Sequence, residues 1–251
     1  MTANLTVFII AKNEENNIRK CILSVKELTS EVIVVDSESS DRTVQIAKEA
    51  GAEVYIRPFD HFSSQKSFAF DKVRTPWALN LDADETLTPQ LCEEIRRVLP
   101  NTPYAGFLLH RQNYFLGKHM KHSGLNKEYI LRLVRTDTAR YDDKLVHEGL
   151  HVKGPVGRLN SPFLHHSYNS IESYFAKFNE YTTLSARQMY ANGRHFHVLA
   201  VLARLPLEFF RRYILKLGLL DGMRGFLWAT FSAYSVLVKY MKLWALQQQN
   251  K

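Results

Sequence analysis

The first third of the chain alternates between two patterns. Leu5–Ile10 (LTVFII) and Val32–Val35 are short, unbroken apolar runs, as strands buried on both faces of a parallel sheet require. Between them Ile18, Cys21, Ile22 and Val25 recur at helical spacing, which predicts an amphipathic helix over about Glu14–Lys26. Asp41 as N-cap and Gly51 as closing residue bound a second helix through Ala50. A third strand follows at Glu53–Ile56, then a loop over Pro58–Ser64, a helix over about Ser64–Val73 and a fourth strand at Trp77–Leu81. This alternation predicts an α/β fold: a mostly parallel central sheet with right-handed crossovers and flanking helices.

After Trp77–Leu81 the pattern changes. Pro89–Leu99 reads as a helix, Ala105–His110 and Tyr129–Val134 as strands, and the stretch from Asn113 to His122 as a long loop. Leu145–Gly149 falls in a further strand–loop region. From Ile171 the chain is helical, with segments over Ile171–Asn192, Phe196–Leu217 and Gly222–Leu246. Two domains are expected, 1–168 and 169–251. There is no internal repeat.

Charge sharpens the second boundary. The formal net charge is +8, and from Arg194 onward nine Lys/Arg stand against two Asp/Glu, so nearly all of the excess lies in the tail. Phe226–Val238 carries no charge over thirteen residues, shorter than the roughly twenty that a spanning helix needs. Aromatic and apolar surface interleaved with Arg and Lys fits a helical region lying in an anionic membrane interface, or a C-terminal helical pair packed on the core with its charges solvated, and the two can hold together; it fits nucleic acid less well, and no nucleic-acid partner is expected. Cys21 and Cys92 sit in apolar helical patterns and read as buried free thiols. The start of the chain lacks the basic segment of a signal peptide, so a cytoplasmic protein is expected, peripherally attached to the inner face of the cell membrane.

The candidate chemistry lies where strands end. Glu14 follows the first strand, Asp36 the second, and Asp82-Ala83-Asp84 the fourth. Carboxyl ends of strands are where open α/β sheets bind ligands. Asp82 and Asp84, at i and i+2, point to one side if the strand pleat continues, and two such carboxylates suit a hard divalent cation that in turn holds a diphosphate.

Three segments, Ile9-Ile-Ala-Lys-Asn-Glu-Glu, Val32-Ile-Val-Val-Asp36-Ser-Glu-Ser-Ser-Asp41-Arg-Thr43 and Leu79-Asn-Leu-Asp-Ala-Asp84-Glu85, occur in the order and at the separations of the inverting family 2 glycosyltransferases of the GT-A fold, and the chain resembles them over about residues 5–150. The resemblance implies a Rossmann-like GT-A domain that binds a nucleotide-sugar through Ala11, Asn13, Glu14, Asp36, Asp82 and Ala83. Asp36 would face the uracil, Glu14 the ribose, and Asp82 the ribose and sugar. Asp84 would ligate Mg²⁺ or Mn²⁺. Lys66 matches a basic position near the donor, or is a solvated helix lysine. Arg132 and Arg135 are either exposed strand charges or contacts to the donor diphosphate or a phosphorylated acceptor, where the Arg fork suits phosphate.

An inverting transfer needs a base opposite the leaving group, and Glu148 in Leu145-Val-His-Glu-Gly149 is the candidate. The His147-Glu148 string, preceded by Arg132-Leu-Val-Arg135, departs from the usual family pattern and is similar to the lipopolysaccharide core subgroup. So are Asn113-Tyr-Phe-Leu-Gly117, Gly124 and Leu219-Leu-Asp-Gly-Met-Arg-Gly-Phe226. His147 is expected to line the pocket. His110, His119, His122, His165 and His166 show no metal-ligand spacing and read as structural or acceptor-side. The expected activity is a metal-dependent inverting transfer of a hexose, glucose from UDP-glucose, onto a heptose of the lipopolysaccharide inner core. The alternatives are the same chemistry on another membrane-bound acceptor (polyprenyl-phosphate, capsule or cell-wall glycan) and a non-catalytic membrane-bound scaffold that binds nucleotide.

Overall fold

A computed structural model describes residues 4–125, 128–141, 150–168 and 170–249. The chain divides into two compact units. The first runs up to Gln112 and includes Glu128–His165; the second comprises Asn113–Lys127 and the chain from His166 onward. This differs from a cut at 168/169, because the 113–127 segment belongs with the tail. Its loop is held there: the Asp221 carboxylate accepts the backbone N–H groups of Lys121 and His122, each at 3.1 Å, and the Ser123 hydroxyl at 3.0 Å.

In the first unit the four expected strands form a parallel core: β1 Leu5–Ala11, β2 Glu31–Asp36, β3 Glu53–Ile56 and β4 Trp77–Asp82, in the order β3-β2-β1-β4. The intervening helices are α1 Ile18–Val25, α2 Thr43–Glu49 and α3 Phe62–Asp71. Their positions explain the unbroken apolar runs. Val7, Ile9, Val34 and Leu79 pack with Ile18, Cys21, Ile22 and Val25 of α1. Phe8, Ile33, Val35 and Ala78 pack on the other face with Ala69 and Phe70 of α3. Both faces of each central strand are thus covered, leaving no polar side to alternate.

The sheet is mixed rather than mostly parallel. After β5 Glu85–Leu87 and α4 Pro89–Val98 come β6 Gly106–Phe115, β7 Lys118–His119, β8 Glu128–Arg135, β9 Ala139–Tyr141, β10 Leu150–Val152 and β11 Val156–Tyr168. β8 is antiparallel to both β4 and β6, and β11 is antiparallel to β5. No helix joins β6 to β8, and without a crossover consecutive strands pair antiparallel. β9 and β10 form a separate two-stranded sheet.

The second unit contains part of what reads as a long loop in the sequence. β6 continues through Phe115, turns at Leu116 (φ 48°) and Gly117 (φ 73°), and pairs with β7 through Phe115 and Lys118. Two adjacent residues with positive φ make a tight hairpin turn, which a search for apolar periodicity does not detect. The helices α5 Ile171–Ala191, α6 Val198–Phe210 and α7 Met223–Gln249 pack through Ala186, Val201, Tyr240 and Leu243, and around Phe115, Met120 and Tyr174. The expected Phe196–Leu217 helix does not run through. It widens to a π turn at Arg211–Leu215 and ends at Leu217, whose φ is 54°. Among the described residues no helix is long and apolar enough to cross a membrane.

Candidate active site

Register brings the strand ends together. Ala11 of β1 stands opposite Asp36 of β2, and Ile10 stands opposite Asp82 of β4, so three neighbouring strands, about 4.8 Å apart, end in line. The loops after β1 and β2 are stitched to each other. Ser37 N–H donates to the Ala11 carbonyl at 2.8 Å, Asn13 N–H to Ser39 Oγ at 2.8 Å and Ser40 N–H to Asn13 Oδ1 at 2.9 Å. Asn13 has φ 53°, a left-handed conformation that Asn tolerates and that turns the chain toward the Ser39–Ser40 loop. Asp36 is fully buried and accepts Ser39 N–H at 2.8 Å and Ser39 Oγ–H at 2.6 Å. Glu14 N–H donates to Thr43 Oγ1 at 2.8 Å, and the Glu14 carboxylate accepts Asn17 Nδ2–H at 2.7 Å. Asp41 lies just ahead of α2, whose N-cap is Arg42. Its carboxylate accepts Glu15 N–H at 3.1 Å and Thr43 N–H at 2.9 Å, tying the two loops instead of capping the helix. Ala11, Asn13, Glu14 and Asp36 therefore belong to one rigid rim.

The second cluster is built on Asp82. Its carboxylate lies 3.2 Å from Lys66 Nζ and 2.7 Å from Arg132 Nη2. Arg132 also donates to Glu85 Oε1 at 2.6 Å and to Asn80 Oδ1 at 2.6 Å. Lys66 is 6% exposed and Arg132 5%, so neither is a solvated surface charge. Glu85, completely buried, also accepts Asp82 N–H at 2.9 Å, fixing the turn after β4. One guanidinium serves two carboxylates, and they separate. Burial alone would raise the Asp82 carboxyl, but Arg132 and then Lys66 outweigh it and hold Asp82 well below the usual carboxylate range. Burial and the Asp82 charge raise Glu85, with Arg132 opposing. Cys21 approaches the same turn, its Sγ 3.6 Å from the Asp82 carbonyl; burial, then the charges of Glu85 and Asp84, push its thiol well above its ordinary range.

Asp84 engages a different partner. β4 ends at Asp82 and residues 83–84 form the turn to β5, so the strand pleat that would set both carboxylates on one side stops before Asp84. Ala83 is buried at the turn. β11 pairs His165 with Glu85, which sets His165 Nε2 3.4 Å from Asp84 Oδ1. His165 carries no spacing signal in the sequence, because its neighbour lies eighty-one positions earlier (165 − 84) and meets it only through strand pairing. A carboxylate beside an imidazole is a donor pair that suits Mn²⁺, and Mg²⁺ is commonly held by one or two carboxylates plus substrate phosphate. Among the described residues no group of three such side chains gathers to complete a cation site.

Beside the Asp82 cluster is a cavity of about 240 Å³, lined by Lys66, Asn80, Asp82, Arg111, Arg132 and Tyr141 among others. Two of the lining residues each carry a buried donor, Asn80 Nδ2 and Arg132 Nε, with no partner among the described residues. Arg111 is paired with Glu128. Unmatched donors among fixed cations suit an oxygen-rich, anionic ligand.

One expected site residue, Arg135, is not brought into this arrangement, and another lies outside the described residues. Arg135 pairs with Trp77, at the opposite end of β4 from Asp82, and five residues of strand separate the two ends by roughly 17 Å. Its guanidinium lies 4.9 Å from the Trp77 ring centroid and donates to the carbonyls of Thr102 and Tyr104. Glu148, with His147, lies outside the described residues; Tyr141 and Leu150, which flank that segment, both line the cavity. Asn80, Glu85 and His165 are the site residues that sequence reasoning missed.

Comparison with known proteins agrees with this geometry. The model of the family described as glycosyl transferase family 2 matches residues 6–153. The lipopolysaccharide core biosynthesis glycosyltransferase LpsC of Rhizobium meliloti is 30% identical over 96% of this chain and 92% of its own. An uncharacterized glycosyltransferase of Rickettsia conorii is 29% identical over 97% of this chain and 90% of its own. A crystal structure of glucosyl-3-phosphoglycerate synthase from Mycobacterium tuberculosis overlaps 44% of each chain at TM-score 0.38 and 22% identity, too slight a likeness to bear on ligands. The strand-end carboxylates, their buried cations and a family match over more than half of the chain lead to one assignment: this chain belongs to glycosyl transferase family 2.

Proposed function

We propose that the chain is an inverting, metal-dependent hexosyltransferase that moves glucose from UDP-glucose to a heptose of the lipopolysaccharide inner core at the inner face of the cell membrane. The observation that carries the reading is the Asp82–Asp84 turn, with Lys66 and Arg132 on one carboxylate and His165 beside the other, next to a cavity with unmatched donors. The similarity to LpsC supports the acceptor class.

In this reading the rim of Ala11, Asn13, Glu14 and Asp36 holds the nucleoside. Lys66 and Arg132 keep Asp82 ionised and aimed at the ribose and sugar. Asp84, with His165, would hold Mg²⁺ or Mn²⁺, which when bound neutralises the charge that develops on the leaving diphosphate. Glu148 takes the proton of the acceptor hydroxyl. The acceptor oxygen forms its bond to the anomeric carbon as the bond from that carbon to the UDP oxygen breaks, and the electron pair leaves with UDP. Lys66 and Arg132, already neutralised by Asp82 and Glu85, act as fixed dipoles and not as free counter-ions to the diphosphate. Arg135 is structural.

The test is a transfer assay with purified chain, Mn²⁺, a set of UDP- and GDP-sugars, and heptose-terminated core oligosaccharide, read by mass spectrometry. The expected product gains one hexose from UDP-glucose, and Glu148→Gln abolishes it while UDP binding persists. Transfer only to polyprenyl-phosphate or a capsule glycan would replace the acceptor. UDP binding without any product across these acceptors would replace the enzyme by a scaffold.

A further inference from the structure

We propose that the cleft between α6 and α7 is a phosphate-headgroup site by which the second unit docks on an anionic lipid leaflet. The helix α6 buries Val201 yet leaves a wide apolar stripe exposed. Its outward stripe is Leu199, Leu202, Ala203, Pro206, Leu207 and Phe210, with Leu199 79%, Leu202 61% and Leu207 62% exposed. At 100° per residue these six positions share one face. Arg204, Glu208 and Arg211 line a cleft with Lys239 and Tyr240 of α7, with Arg204 and Arg211 exposed at its rim. The apolar exposure continues past α6 through Ile214, Leu215, Leu217, Leu219, Leu220 and Met223.

Charge decides what covers this surface. Residues 198–226 contain five Arg/Lys (Arg204, Arg211, Arg212, Lys216, Arg224) and two acids. Both acids are spent internally: Glu208 on Arg211 at 2.9 Å and Arg212 at 2.6 Å, and Asp221 on the Lys121–Ser123 loop. An apolar stripe edged by a net excess of cations, five against two acids, matches the boundary between acyl chains and anionic headgroups, where an in-plane helix sits.

The cleft supplies the specific contact. A cavity of about 200 Å³ lies between Arg204, Arg211 and Lys239, with Tyr240 and Glu208 in its wall. Arg204 is fixed by a hydrogen bond to the Tyr240 hydroxyl, and its guanidinium lies 5.4 Å from the Tyr240 ring centroid. Lys239 makes no hydrogen bond or ion pair among the described residues, and burial, together with Arg204 and Arg194 and against Glu208, lowers its affinity for its proton. A lipid phosphate placed there would meet Arg204 and Lys239 directly, with Arg211, already bonded to Glu208, at its edge. Leu207 lines the same cleft, so headgroup and acyl contacts are continuous.

The inference rests on the reading of a membrane-borne acceptor only for its purpose, and its test does not involve transfer. The full chain is floated with vesicles of phosphatidylcholine, with and without phosphatidylglycerol. Flotation is expected only with phosphatidylglycerol and is expected to weaken with salt. Lys239→Ala should reduce binding about fivefold, and Leu202→Ser about tenfold. Lys48→Ala, on α2 of the other unit, should leave it unchanged. Absence of flotation overturns the proposal. So does an equal loss with Lys48→Ala and Lys239→Ala, which would assign binding to net charge. Retention by Lys239→Ala alongside loss by Leu202→Ser would remove the headgroup site. Vesicle-independent self-association that Leu202→Ser abolishes, without flotation, would assign the stripe to a second copy. If the transfer reading fails instead, flotation persists while no acceptor is glycosylated.

Discussion

Arg132 Nη2 lies 2.7 Å from Asp82 Oδ2, and the same nitrogen lies 2.6 Å from the buried Glu85. One guanidinium therefore fixes the first carboxylate of the Asp82-Ala83-Asp84 turn and neutralises the base of that turn. Removing it should leave two neighbouring carboxylates, with Lys66 still paired to Asp82. Arg132→Met is expected to lose about 3–5 kcal/mol of stability, measured by urea unfolding. Combining it with Glu85→Gln should recover part of that loss; no recovery would mean that the pair is not energetically linked.

The divided carboxylates give a pH signature. Asp82 is lowered from its ordinary 3.8, so its contribution to stability is complete above that pH and is lost as pH falls. Glu85 is raised from its ordinary 4.5, so the folded chain holds a proton that the unfolded chain releases, and stability falls as pH rises from 4.5 through the folded value. Glu85→Gln should abolish the second slope while keeping the first. Urea midpoints collected across that range decide the matter, and an unchanged alkaline slope would mean that Glu85 is ionised throughout.

The contact of His165 Nε2 with Asp84 Oδ1 predicts shared metal affinity. Asp84→Ala should eliminate Mn²⁺-dependent UDP binding in calorimetry, and His165→Ala should weaken it by about tenfold or more. Metal affinity unchanged in His165→Ala would restrict His165 to a structural contact.

The second unit contains a glycine that helix propensity alone would replace. A Cβ on Gly225 would stand 1.8 Å from the Gly218 carbonyl oxygen and 3.0 Å from Asp221 Cβ. Alanine usually gains about 1 kcal/mol over glycine inside a helix. Here Gly225→Ala is expected to destabilise by about 1–3 kcal/mol or more, because backbone must move. Thermal unfolding tests the sign.

Most of the parallel half of the fold is legible in the chain. The runs within β2 (Glu31–Asp36) and β4 (Trp77–Asp82) are apolar because helices cover both sheet faces, and the ends of those runs mark Asp36 and Asp82 without any structure. What lies beyond Asp84 is harder to read. The Leu116-Gly117 turn is set by two positive φ angles and not by apolar spacing, so the end of β6 from Asn113 and all of β7 read as loop.

The sequence by itself determined the family, the strand-end carboxylates and the excess of positive charge in the tail, because each is local in the chain. Tertiary structure alone decided the partners. That Arg132 is buried against Asp82 and Glu85 while Arg135, three positions later, stacks on Trp77 follows from antiparallel register between β8 and β4. That His165 meets Asp84 follows from the pairing of β11 with β5. That α6 buries Val201 while Leu199, Leu202 and Leu207 stay exposed follows from packing on α7. Contacts between residues distant in sequence are set by register and packing, and composition and spacing carry no record of either.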